Sequence, residues 1–343
     1  MTEQNRTSSF VDQKLESIQV LRGVAALVVL LLHGTYSILP GNFGVDIFFC
    51  ISGFIMVYVT QKSAKDFFIK RVIRVVPLYW YTTLQRFVLL QICFRLGIAN
   101  PDRRDLRCFV SSLFFLPING APMQSLAWSL YYEMAFYAVF AVACIISIKY
   151  RSVIAFIGLL AIVGIGAVWE VDYLMFLELA GGMGAFYLTR WLYGQKNTYG
   201  FRLAFGIVAV ASFVALALTE KFILFENTPR FVRYGIPAFV FVVSFVKATQ
   251  RLEMPRSFVF FGDVSFSLYL IQLDVFAVLK GALIFLGIVP SFELFIGEGF
   301  IIEKIATTTI GIGLIFAVSL VTYNLIEKRF TNYLKVKMLR KAV

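Results

Sequence analysis

Long apolar runs separated by short polar segments dominate the pattern along the chain. Most runs have roughly 17–25 residues, the length that an α-helix needs to cross the hydrocarbon core of a bilayer. Backbone groups inside lipid must bond within their own segment, so the runs are predicted to be helices. The pattern therefore predicts an all-α integral membrane protein, a polytopic bundle of about ten transmembrane helices. The predicted spans are 17–38, 44–61, 72–92, 127–148, 152–169, 172–190, 202–218, 234–248, 265–288 and 305–326.

The composition agrees with a chain that lies in lipid. Of its 343 residues, 59% are hydrophobic and only 15% are charged, and the mean hydropathy is +0.81. A soluble domain of this size exposes far more polar surface, so that class is excluded. The formal net charge of +12 would suggest nucleic acid as a partner in a soluble protein, but here the basic residues lie between apolar runs. We therefore expect the lipid bilayer and its anionic headgroups as partners, and no nucleic acid.

The distribution of lysine and arginine predicts the orientation in the membrane. If the N-terminus is cytoplasmic, most of the 32 basic residues fall in cytoplasmic segments, as the positive-inside rule requires. The first apolar run is too long for a cleaved signal peptide, so it is predicted to stay as a signal anchor. Both termini are expected in the cytoplasm, with an N-terminal tail at 1–16, a transmembrane domain at 17–326 and a basic tail at 327–343.

Two ionisable residues lie in the first apolar run. Arg22 and His33, the only histidine of the chain, are eleven residues apart, so in a helix they project from one face about 16 Å from each other. Ionisable residues at membrane depth are costly and by default mark a functional site. A histidine that only bonds a neighbouring helix is the alternative.

The second run carries the motif Gly-Val-Asp-Ile-Phe-Phe-Cys-Ile-Ser-Gly, which contains Asp46 and Ser52. Close helix packing explains the glycines Gly44 and Gly53. A carboxylate at the mouth of a span needs a partner, and Asp46 is either a helix cap or a functional group.

The fourth run opens with Trp-Ser-Leu-Tyr-Tyr-Glu, which contains Trp128, Ser129 and Glu133. Glu133 is a further ionisable group at membrane depth, and it is expected to pair with His33 or an arginine, or to be protonated. A purely structural ion pair is the alternative. Trp128 also fits the aromatic belt at the membrane surface.

A pair of arginines precedes Pro77 at the predicted cytoplasmic start of the third span. Arg71 and Arg74 are three residues apart and share a helical face, where guanidinium groups fit phosphate oxygens. Binding to lipid headgroups is the alternative. Because Arg22 is expected near the same interface, the three arginines together predict a site for a polyphosphate ligand.

The cysteine pattern predicts no metal site. Four cysteines occur, at positions 50, 93, 108 and 144, without any Cys-x-x-Cys pair. Cys93 and Cys108 both fall on the predicted outer side, where an oxidising compartment permits a disulfide. The sequence leaves that pairing open, and it also leaves open whether the protein forms a homo-oligomer.

These motifs together resemble the membrane-bound acyltransferase-3 family, and within it the exopolysaccharide O-acetyltransferases. The resemblance covers nearly the whole chain. It implies transfer of an acyl group, usually acetyl, from cytoplasmic acyl-CoA to a hydroxyl of an exopolysaccharide or another extracytoplasmic, lipid-linked glycan. It also implies the bacterial cytoplasmic (inner) membrane as the location. The matching residues are Arg22 with His33, the segment 44–53, Arg71 with Arg74, the segment 128–133 and, more weakly, the segments 265–270 and 326–328.

The resemblance also implies roles for single residues. His33 is expected as the general base or the carrier of the acyl group, with Glu133 behind it. Acyl-CoA is expected as a co-substrate, with no bound cofactor and no metal. One departure is Gln272, because the family often has a histidine there, so His33 is expected to act alone. Arg22, Arg71 and Arg74 are expected to bind acyl-CoA, and Asp46, Ser52, Trp128, Ser129 and Tyr269 to support the site.

Two other function classes fit the same composition. A proton-coupled transporter or glycan flippase would use His33, Glu133 and Asp46 as its relay. Such a transporter should show paired broken helices in two halves, and the sequence has no convincing pair. A non-catalytic membrane component of a polysaccharide assembly complex would tolerate the loss of His33.

Overall fold

The computed structural model describes residues 16–34, 39–95, 105–116, 121–168, 173–195, 197–286 and 301–339. In these ranges the regular structure is helical, and no strand occurs in them. A 3₁₀ turn (Ser125–Ala127) and two π-helical segments (Phe231–Gly235 and Tyr323–Phe330) interrupt the α-helices. The α-helices are α1 (Glu16–Gly34), α2 (Phe43–Lys62), α3 (Phe67–Arg95), α4 (Leu106–Leu113), α5 (Trp128–Ile146), α6 (Arg151–Val168), α7 (Met175–Tyr193), α8 (Tyr199–Lys221), α9 (Ile236–Ala248), α10 (Arg256–Phe285), α11 (Ile301–Thr322) and α12 (Thr331–Leu339).

Each predicted apolar run overlaps one of the helices, and positions 35–38, 169, 172, 287 and 288 of these runs lie outside the described residues. Within the described part of the chain, eight helical stretches are long and apolar enough to cross a membrane. Helices α3 and α7 correspond to the predicted spans 72–92 and 172–190 but are not among the eight. Their charged residues, such as Arg86 in α3 and Glu178 in α7, lower their hydropathy. The prediction of an all-α, polytopic membrane protein is confirmed.

The chain divides into two compact units. Helices α2, α6, α7, α8 and α9 belong to unit 1, and α4, α11 and α12 belong to unit 2. Helices α1, α3, α5 and α10 contribute residues to both. Unit 1 comprises Met1–Leu32, Leu39–Phe67 and Phe136–Ser265, and unit 2 comprises His33–Ile38, Phe68–Ala135 and Phe266–Val343.

In unit 1, helices α2 and α7 cross with their backbones in direct contact. A Cβ atom on Gly53 would lie 2.0 Å from the carbonyl oxygen of Leu179, and one on Gly182 would lie 2.1 Å from that of Cys50. Only glycine permits this approach, because any side chain would overlap the facing backbone. The packing role that the sequence suggested for Gly53 agrees with this contact.

In unit 2, the C-terminal end of α1 packs against α10 and α11. The Thr308 hydroxyl donates to the carbonyl oxygen of Gly34 over 2.7 Å. The last carbonyls of a helix have no partner within the helix, so this bond satisfies one of them. The Phe276 ring packs on the same glycine, 3.1 Å from where its Cβ would be. These contacts fix the end of the helix that carries His33.

Candidate active site

His33 is the penultimate residue of α1 and is partly buried. The neighbouring Gly34 is held by Thr308 and Phe276, so the backbone beneath the imidazole has a defined position. An exposed helix end would fray, whereas this end is bonded and packed. The structure therefore presents His33 on a fixed helix end, as a base or an acyl carrier requires.

Ser129 and Tyr269, two of the predicted supporting residues, contact each other in unit 2. Their hydroxyl oxygens are 3.0 Å apart, and both side chains are buried. The Tyr269 hydroxyl donates to the carbonyl oxygen of Leu126 over 2.7 Å. The Ser129 hydroxyl also donates to the carbonyl oxygen of Leu126, over 3.4 Å, so either hydroxyl can be the donor in the contact between them. This contact joins the start of α5 to α10.

Glu133 lies on α5, four residues after Ser129, and is partly buried. Residues four apart share a helical face, so Glu133 lies one turn from the contact between Ser129 and Tyr269. Trp128 packs edge-on against Tyr132, with ring centroids 6.1 Å apart. The predicted pairing of Glu133 with His33 or an arginine stays a prediction.

Arg71 and Arg74 lie near the start of α3, and both are partly buried. A third cation from the C-terminal helix α12 lies close to them, because the charge of Lys335 interacts with both arginines. Guanidinium and ammonium groups bind phosphate oxygens through charge-assisted hydrogen bonds. The sequence placed Lys335 in a basic tail but gave no reason to single it out among the lysines there.

The remaining predicted site residues belong to unit 1. Arg22 is buried on α1, and its Nη1 atom donates to Oε1 of Gln19 over 2.9 Å. Ser52 is buried on α2. Because Arg22 and the pair Arg71 and Arg74 lie in different units, their grouping around one polyphosphate stays a prediction.

Asp46 is paired with an arginine that the sequence did not single out. Arg230 donates from Nε to Oδ1 over 3.0 Å and from Nη2 to Oδ2 over 2.7 Å. The Asp46 side chain is 0% exposed and that of Arg230 is 25% exposed. The Glu178 carboxyl also interacts with both groups. A bidentate arginine offsets the cost of a buried carboxylate, so Asp46 has the partner that its position demanded.

A second buried ion pair lies in unit 2. Nη1 of Arg86 on α3 donates to Oδ1 of Asp274 on α10 over 2.9 Å. The amide nitrogen of Gln124 donates to Oδ2 of the same carboxylate over 2.8 Å and to the carbonyl oxygen of Leu270 over 3.0 Å. Gln124 and Asp274 are buried. Sequence reasoning missed this cluster, because its three residues come from segments that are far apart in the chain.

The two weakest motifs of the sequence meet in unit 2. The backbone amide of Ser267 on α10 donates to Oε1 of Glu327 over 3.0 Å, and the Ser267 hydroxyl bonds the same oxygen. Glu327 lies in the π-helical segment that follows α11. Such segments are rare and occur often at functional sites. The contact brings the segments 265–270 and 326–328 together, although they are far apart in the sequence.

All four cysteines at positions 50, 93, 108 and 144 are free thiols. Cys93 therefore has no disulfide to Cys108 in this structure. The Cys108 sulfur lies 3.9 Å from the carbonyl oxygen of Ala121. The three buried cysteines act as small apolar groups in the helix packing.

Comparison with known proteins is consistent with these motifs. A sequence model described as an acyltransferase domain of the acyltransferase-3 family matches residues 15–324. The exopolysaccharide production protein ExoZ of Rhizobium meliloti is 35% identical over 111 residues, which cover 29% of this chain and 33% of that protein. The peptidoglycan O-acetyltransferase OatA of Listeria monocytogenes is 28% identical over 166 residues, which cover 42% of this chain and 26% of that protein. No solved structure matches the chain at a significant level.

The two relatives match a smaller part of this chain than the family model does. The matched part corresponds to only 33% of the first relative and 26% of the second. The family match extends from residue 15 to residue 324 and includes every residue for which the sequence predicted a site role. The chain therefore belongs to the acyltransferase-3 family of membrane proteins.

Proposed function

We propose that the protein is a membrane O-acetyltransferase of a polysaccharide pathway in the bacterial inner membrane. It transfers an acetyl group from cytoplasmic acetyl-CoA to a hydroxyl of a lipid-linked or nascent exopolysaccharide. The observation that carries the proposal is the family match over residues 15–324. The names of the two relatives, one in exopolysaccharide production and one a peptidoglycan O-acetyltransferase, support a glycan as acceptor.

The donor is held by cations of unit 2. Arg71, Arg74 and Lys335 form a group of three positive charges from α3 and α12. Charge-assisted bonds from guanidinium groups to phosphate oxygens are among the strongest that side chains make. Under the predicted topology this group lies on the cytoplasmic side, where acetyl-CoA is available.

His33 is the base in this proposal. It takes the proton of the acceptor hydroxyl while the hydroxyl oxygen attacks the thioester carbonyl. The new C–O ester bond forms, the C–S bond breaks, and the proton passes to the leaving thiolate to give coenzyme A. Glu133 stabilises the imidazolium during the transfer. General-base catalysis of this kind contributes about 10²–10⁴ in rate.

Purified full-length protein, labelled acetyl-CoA and lipid-linked oligosaccharides extracted from an exopolysaccharide-producing bacterium test the proposal. The wild type is expected to label the oligosaccharide, and His33→Ala is expected to lose about 10²–10⁴ in turnover while its membrane insertion is unchanged. No labelling by the wild type, or near-normal labelling by His33→Ala, would contradict the proposal. Label on the protein that survives quenching at neutral pH, is released by acid or hydroxylamine, and is absent from His33→Ala would instead assign the acyl-carrier route to His33.

Donor binding is tested separately from turnover. Arg71→Ala and Arg74→Ala are expected to raise the KM for acetyl-CoA by about 10- to 150-fold, since each removes a charge-assisted bond. Lys335→Gln is expected to act in the same direction but less, because Lys335 is exposed. Arg256→Ala is the control, because Arg256 is an exposed arginine at the start of another helix. Unchanged donor affinity in both α3 variants would assign these arginines to lipid headgroups.

A further inference from the structure

The cluster of Arg86, Gln124 and Asp274 in unit 2 has hydrogen-bonding capacity that the protein itself does not use. The Gln124 amide nitrogen donates to both Oδ2 of Asp274 and the carbonyl oxygen of Leu270. Exchanging the amide nitrogen and oxygen would set an oxygen against two acceptors, so the amide orientation is fixed. Oε1 of Gln124 must therefore point away from both of these acceptors.

Two buried atoms of this cluster have no partner among the residues that the structure describes. They are Oε1 of Gln124, which is an acceptor, and Nε of Arg86, which is a donor. The Gln124 side chain is 0% exposed. Buried polar atoms in proteins are nearly always hydrogen-bonded, and each unbonded one costs about 1–3 kcal/mol. A ligand that supplies one donor and one acceptor would satisfy both atoms.

The charge of the cluster selects the kind of ligand. The Asp274 carboxylate offsets the positive charge of Arg86, since their atoms are only 2.9 Å apart. The cluster is therefore neutral, unlike the three cations Arg71, Arg74 and Lys335. A phosphate or carboxylate gains little from a neutral pair and is repelled by the Asp274 oxygens. A hydroxyl both donates and accepts, so neighbouring hydroxyls of a sugar match the two unused atoms.

Helix α10 carries both Asp274 of the cluster and Phe276, which contacts the end of α1. Asp274 and Phe276 are two residues apart, which is about 3 Å along a helix axis and about 200° around it, so their side chains project from different faces of α10. The Phe276 ring packs on Gly34, the residue next to His33. All of these residues belong to unit 2. The cluster that contains the two unbonded atoms therefore lies at about the same height along α10 as the contact that holds the end of α1.

We propose that Gln124 and Arg86, joined through Asp274, form the subsite that binds neighbouring hydroxyls of the acceptor sugar. The subsite takes a neutral, hydroxyl-rich ring of the acceptor, and it rests on the proposed acetyl transfer to a glycan. Oε1 of Gln124 accepts a hydrogen bond from one hydroxyl, and Nε of Arg86 donates to the oxygen of the next. Asp274 is a positioning residue, because it acts by holding the other two.

Binding of the full-length protein to two lipids tests the subsite without any need for turnover. One probe is an undecaprenyl-linked oligosaccharide from an exopolysaccharide-producing bacterium, and the other is undecaprenyl phosphate without sugar. The difference between their affinities, measured by native mass spectrometry, is the contribution of the sugar. Arg86→Lys keeps a positive charge beside Asp274 but lacks Nε, and Gln124→Asn keeps the amide but withdraws its oxygen by one methylene.

The sugar contribution is expected to fall by about 10- to 150-fold in Arg86→Lys and about 2- to 13-fold in Gln124→Asn, the ranges for a charged and a neutral hydrogen bond. The affinity for undecaprenyl phosphate and the KM for acetyl-CoA should not change. Gln250→Asn is the matched control, because the Gln250 amide is bonded at both ends, to Lys247 and to the carbonyl oxygen of Tyr193. A purely structural role of the cluster would leave the sugar contribution of the folded variants unchanged.

Three results would overturn the subsite. They are a wild type without any sugar contribution, an unchanged contribution in both variants, and an equal loss in Gln250→Asn. The proposed function fails in a different way, namely when the wild type binds the sugar but transfers no acetyl group. If the wild type transfers acetyl and neither variant raises the KM for the acceptor, the subsite is wrong and the proposed function stands.

Discussion

Separating the two partners of the Asp46–Arg230 ion pair should give unequal losses of stability. Arg230→Gln leaves Asp46 fully buried without its cation and leaves the Glu178 carboxyl beside it. Removing one partner of a buried pair costs about 3–5 kcal/mol, because the other charge stays unpaired. Asp46→Asn leaves Arg230, whose side chain is 25% exposed and can reach water. That substitution is expected to cost only about 1–3 kcal/mol.

The two substitutions together should cost less than the sum of their single effects. Once either partner has been replaced, the second substitution no longer breaks a pair, so we expect a coupling of about 0.5–3 kcal/mol. The free energy of unfolding is measured by titrating mixed detergent micelles with SDS while following tryptophan fluorescence. Arg233→Gln is the control, since Arg233 lies nearby in the π-helical segment with its guanidinium 4.8 Å from the Tyr234 ring centroid.

Two outcomes would refute this reasoning about Asp46. Strictly additive losses would show that the pair contributes nothing as a pair. A larger loss for Asp46→Asn than for Arg230→Gln would show that burial of the carboxylate is not the dominant cost. If Asp46→Asn abolished acetyl transfer at unchanged stability, Asp46 would regain the functional role that the transporter hypothesis gave it.

Three further predictions concern the donor site, the helix packing and the topology. Arg71→Lys should recover only part of the donor affinity lost in Arg71→Ala, because lysine lacks the planar fork; full recovery in a KM measurement would contradict bidentate binding. Gly53→Ala should lower the free energy of unfolding by about 1–3 kcal/mol, since its Cβ would meet the Leu179 carbonyl. Gly164→Ala is the control, because its Cβ would have open space; equal melting temperatures of the two variants would contradict the close crossing of α2 and α7. In a cysteine-free background, Lys337→Cys should react with a membrane-impermeant thiol reagent only from the cytoplasmic side, and Arg107→Cys only from outside. Labelling of both variants from the same side would exclude the predicted orientation.

The helices and their membrane character could be predicted from the sequence because both depend on local features. An apolar run of sufficient length in lipid has few alternatives to a helix. Polar residues inside such runs stand out against the apolar background, so Arg22, His33, Asp46 and Glu133 are recognisable from the sequence alone. Helices α3 and α7 are less apolar than the other predicted spans, and they still form at the predicted positions.

The partners of these residues could not be predicted, because they come from distant parts of the chain. Arg230 follows Asp46 by 184 residues, and Asp274 follows Gln124 by 150 residues. Hydrophobic periodicity and local spacing relate only residues that are close in the sequence, so neither can pair residues this far apart. A glutamine before a helix and a lysine in a basic tail are also common features, so Gln124 and Lys335 became candidates only through what lies beside them.

Helix α3 places two kinds of charge at a fixed separation within unit 2. Arg74, near its start, belongs to the cationic group, and Arg86 belongs to the neutral cluster with Asp274. Twelve residues separate the two arginines, which is about 18 Å along the helix. A similar rise, about 16 Å, separates Arg22 from His33 on α1. Phosphate binding and bond making are therefore expected at different depths, and a donor whose thioester lies at the end of a long arm, as in acetyl-CoA, is suited to span that distance.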